Sequence, residues 1–106
     1  GILGRGALGA CLAMGYGRWA AHFGVPLTSL EVEIQADYDG RGELGVSEDV
    51  HPGYSAIRYI VTVESSAPRA DVLHLLDTAD KCSPYRDVYA RALPMQREVR
   101  FVEPSA

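Results

Sequence analysis

Residues 7–23 read ALGACLAMGYGRWAAHF, a stretch whose Ala, Leu and Met residues favour an α-helix. Gly24 and Pro26 follow it and supply a stop signal, so we predict a helix from Ala7 to Phe23. Because apolar residues occupy most of its circumference, we expect this helix to be buried on several sides. Its most apolar part, residues 7–14, is too short to span a membrane, and we expect no membrane partner.

Beyond this helix the chain alternates apolar and polar residues in three places, which is typical of half-buried β-strands. The predicted strands are Leu30–Tyr38, Tyr54–Glu64 and Met95–Val102, and the polar, Gly-rich residues 39–53 predict a loop between the first two. The expected core-facing residues are Leu30, Val32, Ile34 and Ala36 on the first strand and Ile57, Tyr59, Val61 and Val63 on the second.

Two further helices are predicted between the second and third strands. Ser66 is the predicted N-cap of one that runs to about Lys81. Its apolar stripe consists of Val72, Leu75, Leu76 and Ala79. Ser83 is the predicted N-cap of a short helix at Tyr85–Arg91, with Pro84 in its first turn.

Length and composition predict a single α+β domain over residues 1–106. The formal net charge is -4 and the acidic residues are scattered, which argues against a nucleic-acid partner. The two cysteines, Cys11 and Cys82, are too few for a disulfide-stapled secreted miniprotein, so we expect a cytoplasmic protein. Their distance in sequence allows one long-range bridge, two idle thiols or a redox pair.

Three motifs follow one another along the chain: LGACLAM at residues 8–14, GVPL with DGRGELG at 24–27 and 39–45, and ADKCSP at 79–84. Together they resemble the OsmC/Ohr family of thiol-dependent peroxidases and their relatives. The first is similar to the Ala-Cys motif on the family's first long helix, and the second resembles the Arg-Gly loop of one subgroup. The third lies where the family has Cys-Pro or, in many relatives, Ser-Pro.

The resemblance implies an OsmC-like fold, an antiparallel sheet with long central helices completed by an intertwined homodimer, with active sites at the subunit interface. In the peroxidase branch a thiolate on the first helix reduces an organic hydroperoxide and becomes a sulfenic acid. A second cysteine resolves this as a disulfide, which a dithiol reductant then reduces. Carried over to this sequence, Cys11 is the attacking thiolate and Cys82 the resolving thiol.

The sequence departs from the family pattern in two ways. The residue before Pro84 is Ser83, so Cys82 is offset by one position, which is a rotation of roughly 100° at a helix start. Typical members also begin with strands that supply an Arg to the thiolate, and we expect these N-terminal strands to be missing here, because the sequence starts at about the first helix. Arg18 is about 10 Å further along the helix than Cys11. We therefore expect Arg5, Arg86 or an Arg of a partner chain to support the thiolate.

These departures keep a second function open. A free thiol titrates near pH 8.5, so peroxide chemistry at Cys11 requires a cation or hydrogen-bond donors beside the sulfur. Without them Cys11 is a small buried hydrophobe. The chain is then a catalytically silent OsmC-fold dimer that binds a small apolar ligand or has a structural role. The histidines show no metal-ligand spacing, and we expect neither a metal nor another cofactor.

Four aromatic residues are candidates for the wall of an apolar pocket. They are Tyr16, Trp19, Tyr85 and Tyr89. The alternative for each is a place in the core.

Overall fold

A computed structural model describes residues 2–102 of the chain. Gly1 and residues 103–106, the two ends of the predicted domain, lie outside the described residues. The elements are α1 (Ile2–Phe23), β1 (Ser29–Tyr38), α2 (Gly40–Glu43), β2 (Tyr54–Glu64), α3 (Arg69–Lys81) and α4 (Pro84–Ala90). The fold is α+β, as predicted, and α2 is a short helical turn inside the predicted loop.

Helix α1 begins five residues before the predicted start and ends where Gly24 takes a left-handed φ of 69°. Its buried residues are Leu8, Leu12, Tyr16 and Ala20. They recur every fourth position and form one face, while Leu3 and Met14 are exposed. Helix α1 contacts β1, α3 and α4, but within the described residues its buried side chains lie on one face, so the expected burial on several sides is only partial.

Strands β1 and β2 form an antiparallel pair whose register matches the predicted apolar faces. The partners are Leu30 with Val63, Val32 with Val61, Ile34 with Tyr59 and Ala36 with Ile57. This half-buried face packs on α1, which approaches it so closely at Gly9 that a Cβ there would lie 3.3 Å from Cγ1 of Ile34. One face of the β1–β2 pair thus packs directly against α1.

Helix α3 packs its predicted stripe against α1, with Val72, Leu75 and Ala79 buried. It begins after Pro68 rather than after Ser66, because the serine that caps the preceding turn is Ser65, whose Oγ accepts from the N–H of Ala67. Helix α4 follows at once and has Ser83 as its N-cap, as predicted. We call residues 80–84 the α3–α4 turn.

The predicted third strand, Met95–Val102, does not form within the described chain. Residues 92–102, which we call the C-terminal segment, have no regular secondary structure and are exposed throughout. A strand needs a neighbour for its backbone N–H and C=O groups, and among residues 2–102 the sheet contains β1 and β2 alone. The alternating residues therefore have no neighbouring strand to pair with among residues 2–102.

Candidate active site

Cys11 lies on α1 at the edge of the buried face and is half-buried. It opens into a cleft of about 370 Å³ between α1 and the α3–α4 turn. Side chains around this cleft include Met14, Arg18, Trp19, Cys82, Ser83 and Tyr85. The predicted attacking sulfur therefore borders a cavity large enough for a small organic molecule and walled mainly by apolar and aromatic groups.

Ser83 is the side chain that contacts the sulfur. Its Oγ lies 3.5 Å from Sγ of Cys11, and the residue is only 5% exposed. The same oxygen accepts a hydrogen bond of 3.3 Å from the backbone N–H of Arg86. The serine hydroxyl accepts this bond and still has its proton, so it can donate to a thiolate at Cys11 and would stabilise it; with a protonated Cys11 either atom can be the donor.

Cys82 ends α3, and its N–H donates to the carbonyls of Thr78 and Ala79. Its thiol is exposed and free, and it borders the same cleft as Cys11. At this offset, the side chain in contact with the Cys11 sulfur is that of Ser83 and not that of Cys82. The two thiols share a cavity, and neither is in a disulfide in the described structure.

In the described structure, neither Arg5 nor Arg86, the two arginines of this chain expected to support the thiolate, directs its guanidinium at the Cys11 sulfur. Arg18 borders the Cys11 cleft, whereas Arg5 faces other clefts and has a buried Nε without a hydrogen-bond partner among residues 2–102. Arg86 directs its Nε to the hydroxyl of Tyr59 at 2.9 Å. In the described part of the chain, no guanidinium is hydrogen-bonded to the Cys11 sulfur; the contact from Arg86 is indirect, through its backbone and Ser83.

A hydrogen-bond network centred on Asp80 lies beside this site, and no sequence pattern indicates it. The hydroxyl of Tyr16 donates to one carboxylate oxygen at 2.7 Å, and that of Tyr59 donates to the other at 2.8 Å. Burial raises the pKa of the Tyr16 phenol, and the hydrogen bond to Asp80 raises it further. Burial also raises the pKa of Tyr59, although the hydrogen bond from Arg86 opposes this.

The four aromatic candidates divide between core and cleft. Tyr16 is fully buried, whereas Trp19 and Tyr85 border the Cys11 cleft. Tyr89 lies elsewhere and donates a hydrogen bond of 3.0 Å to the carbonyl of Gly4. Two of the four are therefore placed to contact a molecule bound beside Cys11.

The protein is an α+β domain with a half-buried thiol on its first long helix. A Ser-Pro turn packs against that thiol. The chain belongs to the OsmC-like protein family, whose pattern matches residues 3–98. An OsmC-like protein from Mycoplasma pneumoniae has a similar crystal structure, with a TM-score of 0.70 and 14% sequence identity. The match covers 80% of this chain and 57% of that one, so the chain spans less than two thirds of that protein's length. None of the curated proteins matches significantly.

Two features are absent from the described residues, a metal cluster and a membrane-spanning helix. Residues 2–102 contain no group of three or more His, Cys, Asp or Glu side chains arranged to hold a metal ion. In the same part of the chain, no helix has the length and apolar character needed to cross a membrane.

Proposed function

We propose that the chain is a cytoplasmic, thiol-dependent peroxidase that reduces organic hydroperoxides at Cys11. The contact between the Cys11 sulfur and the Ser83 hydroxyl, 3.5 Å apart at the edge of a cleft, is the observation that carries this proposal. A thiolate is the reactive form of cysteine, and a hydroxyl that donates to the sulfur favours it. The family supports a peroxidase-related function, and the cleft offers room for the organic part of the substrate.

In the proposed reaction, the Cys11 thiolate attacks the terminal peroxide oxygen and the O–O bond breaks. The organic fragment leaves as an alkoxide, which takes up a proton to become an alcohol, and the sulfur is oxidised to a sulfenic acid. The Cys82 thiol then attacks this sulfur, and a disulfide and water form. An external dithiol reduces the disulfide and is itself oxidised. The exposed position of Cys82 in the same cleft supports its role as the resolving thiol.

We further propose that the working form is an intertwined homodimer. Large apolar side chains are exposed on α1 and in the C-terminal segment, with Leu3 at 89% and Phe101 at 93% exposure. Exposed apolar surface of this kind marks an interaction site. A second copy would supply both a cover for the outer face of α1 and a neighbour for the unpaired C-terminal segment.

Treatment with cumene hydroperoxide tests the peroxidase proposal. We expect the reduced protein to consume peroxide in a single-turnover burst and to lose two hydrogens in intact mass as the disulfide forms. Cys11→Ser should abolish the burst. Cys82→Ser, the matched control, should retain it and stop at a sulfenic acid that dimedone traps. Wild-type protein that keeps an unmodified Cys11 under excess peroxide would rule the peroxidase out.

The second candidate is a silent OsmC-fold dimer that binds a small apolar ligand or has a structural role. It is favoured by Ser83 at the position before Pro84 and by the apolar groups around the cleft, such as Met14 and Trp19. It predicts that Cys11 resists both peroxide and alkylating reagents at pH 6. Rapid labelling of Cys11 at that pH would exclude it.

A further inference from the structure

We propose that Asp80 is a positioning residue for the Cys11 site: its carboxylate ties Tyr16 and Tyr59 to the α3–α4 turn and thereby holds the Ser83 hydroxyl against the sulfur. The inference rests on the proposed function, since it explains how the thiolate donor is kept in place. Asp80 touches neither cysteine by hydrogen bond in the described structure, so its effect is transmitted through Ser83.

The first arm of this connection runs through the backbone. Both carboxylate oxygens of Asp80 are occupied, one by the hydroxyl of Tyr16 from α1 and the other by that of Tyr59 from β2. The carbonyl oxygen of the same residue accepts the N–H of Ser83 at 3.4 Å. A displacement of Asp80 from its two phenols would therefore move the residue that contacts Cys11.

The second arm runs through helix α4. Tyr59 donates to Asp80 and accepts from Nε of Arg86 at 2.9 Å, so its hydroxyl is oriented by both neighbours. The backbone N–H of Arg86 donates to Oγ of Ser83 and so helps to fix the hydroxyl that lies against the sulfur. The hydrogen bond to Tyr59 raises the pKa of Arg86 and fixes the direction of its guanidinium. Ser83 is thus held from both sides, and both arms meet at Asp80.

A carboxylate is suited to this position because it accepts on both oxygens, whereas an amide accepts on one and donates on the other. Asp80→Asn therefore leaves one phenol without an acceptor while it hardly changes the shape of the side chain. Asp77→Asn is a matched control, because Asp77 lies on the same helix, is exposed and can lose its charge without breaking this network.

The experiment measures the rate at which iodoacetamide alkylates Cys11 between pH 5 and 9, in a Cys82→Ser background so that one thiol reports. We expect Asp80→Asn to slow alkylation at pH 7 by up to about tenfold and to shift the profile to higher pH, because about one hydrogen bond to the thiolate is lost. Asp77→Asn should alkylate at the parent rate. A parent rate in Asp80→Asn would overturn the proposal.

A double-mutant cycle with Ser83→Ala distinguishes positioning from general loosening. If Asp80 acts through Ser83, Ser83→Ala alone slows alkylation as much as Asp80→Asn, and the double variant is no slower than Ser83→Ala. Losses that multiply in the double variant would contradict the inference. Should Asp80→Asn fail to fold, Tyr59→Phe removes only the hydroxyl that joins Asp80 to Arg86 and must show the same direction.

Alkylation requires no peroxide, so the two proposals fail separately. If cumene hydroperoxide leaves Cys11 unmodified but Asp80→Asn still slows its alkylation, the peroxidase reading fails and the positioning role stands. If peroxide is consumed at the same rate in the parent and in Asp80→Asn, the positioning role fails and the peroxidase stands.

Discussion

The α3–α4 turn and the C-terminal segment are close in sequence, yet the turn packs against the rest of the chain and the C-terminal segment is exposed. In the turn, Asp80 is hydrogen-bonded to α1 and β2, and Ser83 is buried against Cys11. In the C-terminal segment, Met95 is 92% exposed and Val102 is 90% exposed. The buried residue of the turn is a polar serine, whereas apolar side chains of the C-terminal segment are exposed, so hydrophobicity alone does not decide which region packs against the core.

The difference lies in which partner each region needs. A helix satisfies its own backbone, so α3 and α4 need only a surface for their side chains, and α1 provides it. A strand leaves its backbone groups to a neighbour, and the C-terminal segment meets none within residues 2–102. We infer that the turn is fixed by the chain itself, whereas the C-terminal segment acquires its structure from a second copy in the proposed dimer.

Two alanine substitutions test this distinction, and the first of them should give the largest change in the free energy of unfolding. Leu12 is fully buried between α1 and its neighbours, so Leu12→Ala should lower the free energy of unfolding by about 3 kcal/mol at every protein concentration. Phe101→Ala, its counterpart in the C-terminal segment, should matter only at concentrations where the chain dimerises. Urea unfolding across a hundredfold range of concentration, with size-exclusion chromatography, makes the measurement.

Two results would break the comparison. A loss for Phe101→Ala that is independent of concentration would mean that the C-terminal segment packs on its own chain. A wild-type protein that stays monomeric at every concentration would remove the proposed second copy as its partner.

The regular elements could be predicted because their signals are local. The alternation of residues 54–64 fixed β2 at both ends, and the Ser83-Pro84 pair gave the start of α4. The same alternation in Met95–Val102 is a valid strand signal, but periodicity does not say whether a neighbouring strand exists. The predicted strand is absent because a strand forms only beside a neighbouring strand, and the sequence of the segment itself does not supply one.

The site could be predicted only in part. The family resemblance made Cys11 and Cys82 the candidate thiols, and the sequence showed that Ser83 stands directly before Pro84, but it did not show that Ser83 contacts the Cys11 sulfur. The Asp80 network was not predicted, because Tyr16 and Asp80 are 64 positions apart and neither has a local pattern that names the other. A buried tyrosine at helical spacing indicates core, and its hydroxyl partner becomes visible only when the elements are assembled.

A pH titration sharpens the comparison by addressing the turn alone. Because the pKa of Tyr16 is raised in the folded protein above the ordinary value of 10.0, the unfolded chain loses this proton first. The contribution of Tyr16 to stability is complete below about pH 10 and falls as the pH rises further. We expect a loss of about 1 kcal/mol at pH 11 for this one group.

Tyr16→Phe provides the control for that titration. It keeps the ring and removes the titrating hydroxyl, so urea unfolding at pH 8 and pH 11 should show a smaller alkaline loss in the variant than in the parent. Tyr59, whose pKa is also raised, accounts for part of the remaining dependence. An identical alkaline loss in both proteins would show that the buried Tyr16 phenol, which is bound to the turn through Asp80, is not the group that titrates.

The smallest effect on the free energy of unfolding is expected for a carboxylate at the surface. An Asp→Asn substitution there should cost less than the same substitution at Asp80. Asp87 pairs with Arg91 at 2.9 Å one helical turn away, but both side chains are more than half exposed. Solvent screens such a pair, so Asp87→Asn should change the free energy of unfolding by less than about 0.5 kcal/mol. Asp80→Asn removes a similar charge seven residues earlier and should cost clearly more, because two phenols lose their shared acceptor. Equal losses in urea unfolding would mean that the turn is no more firmly held than the helix surface beside it.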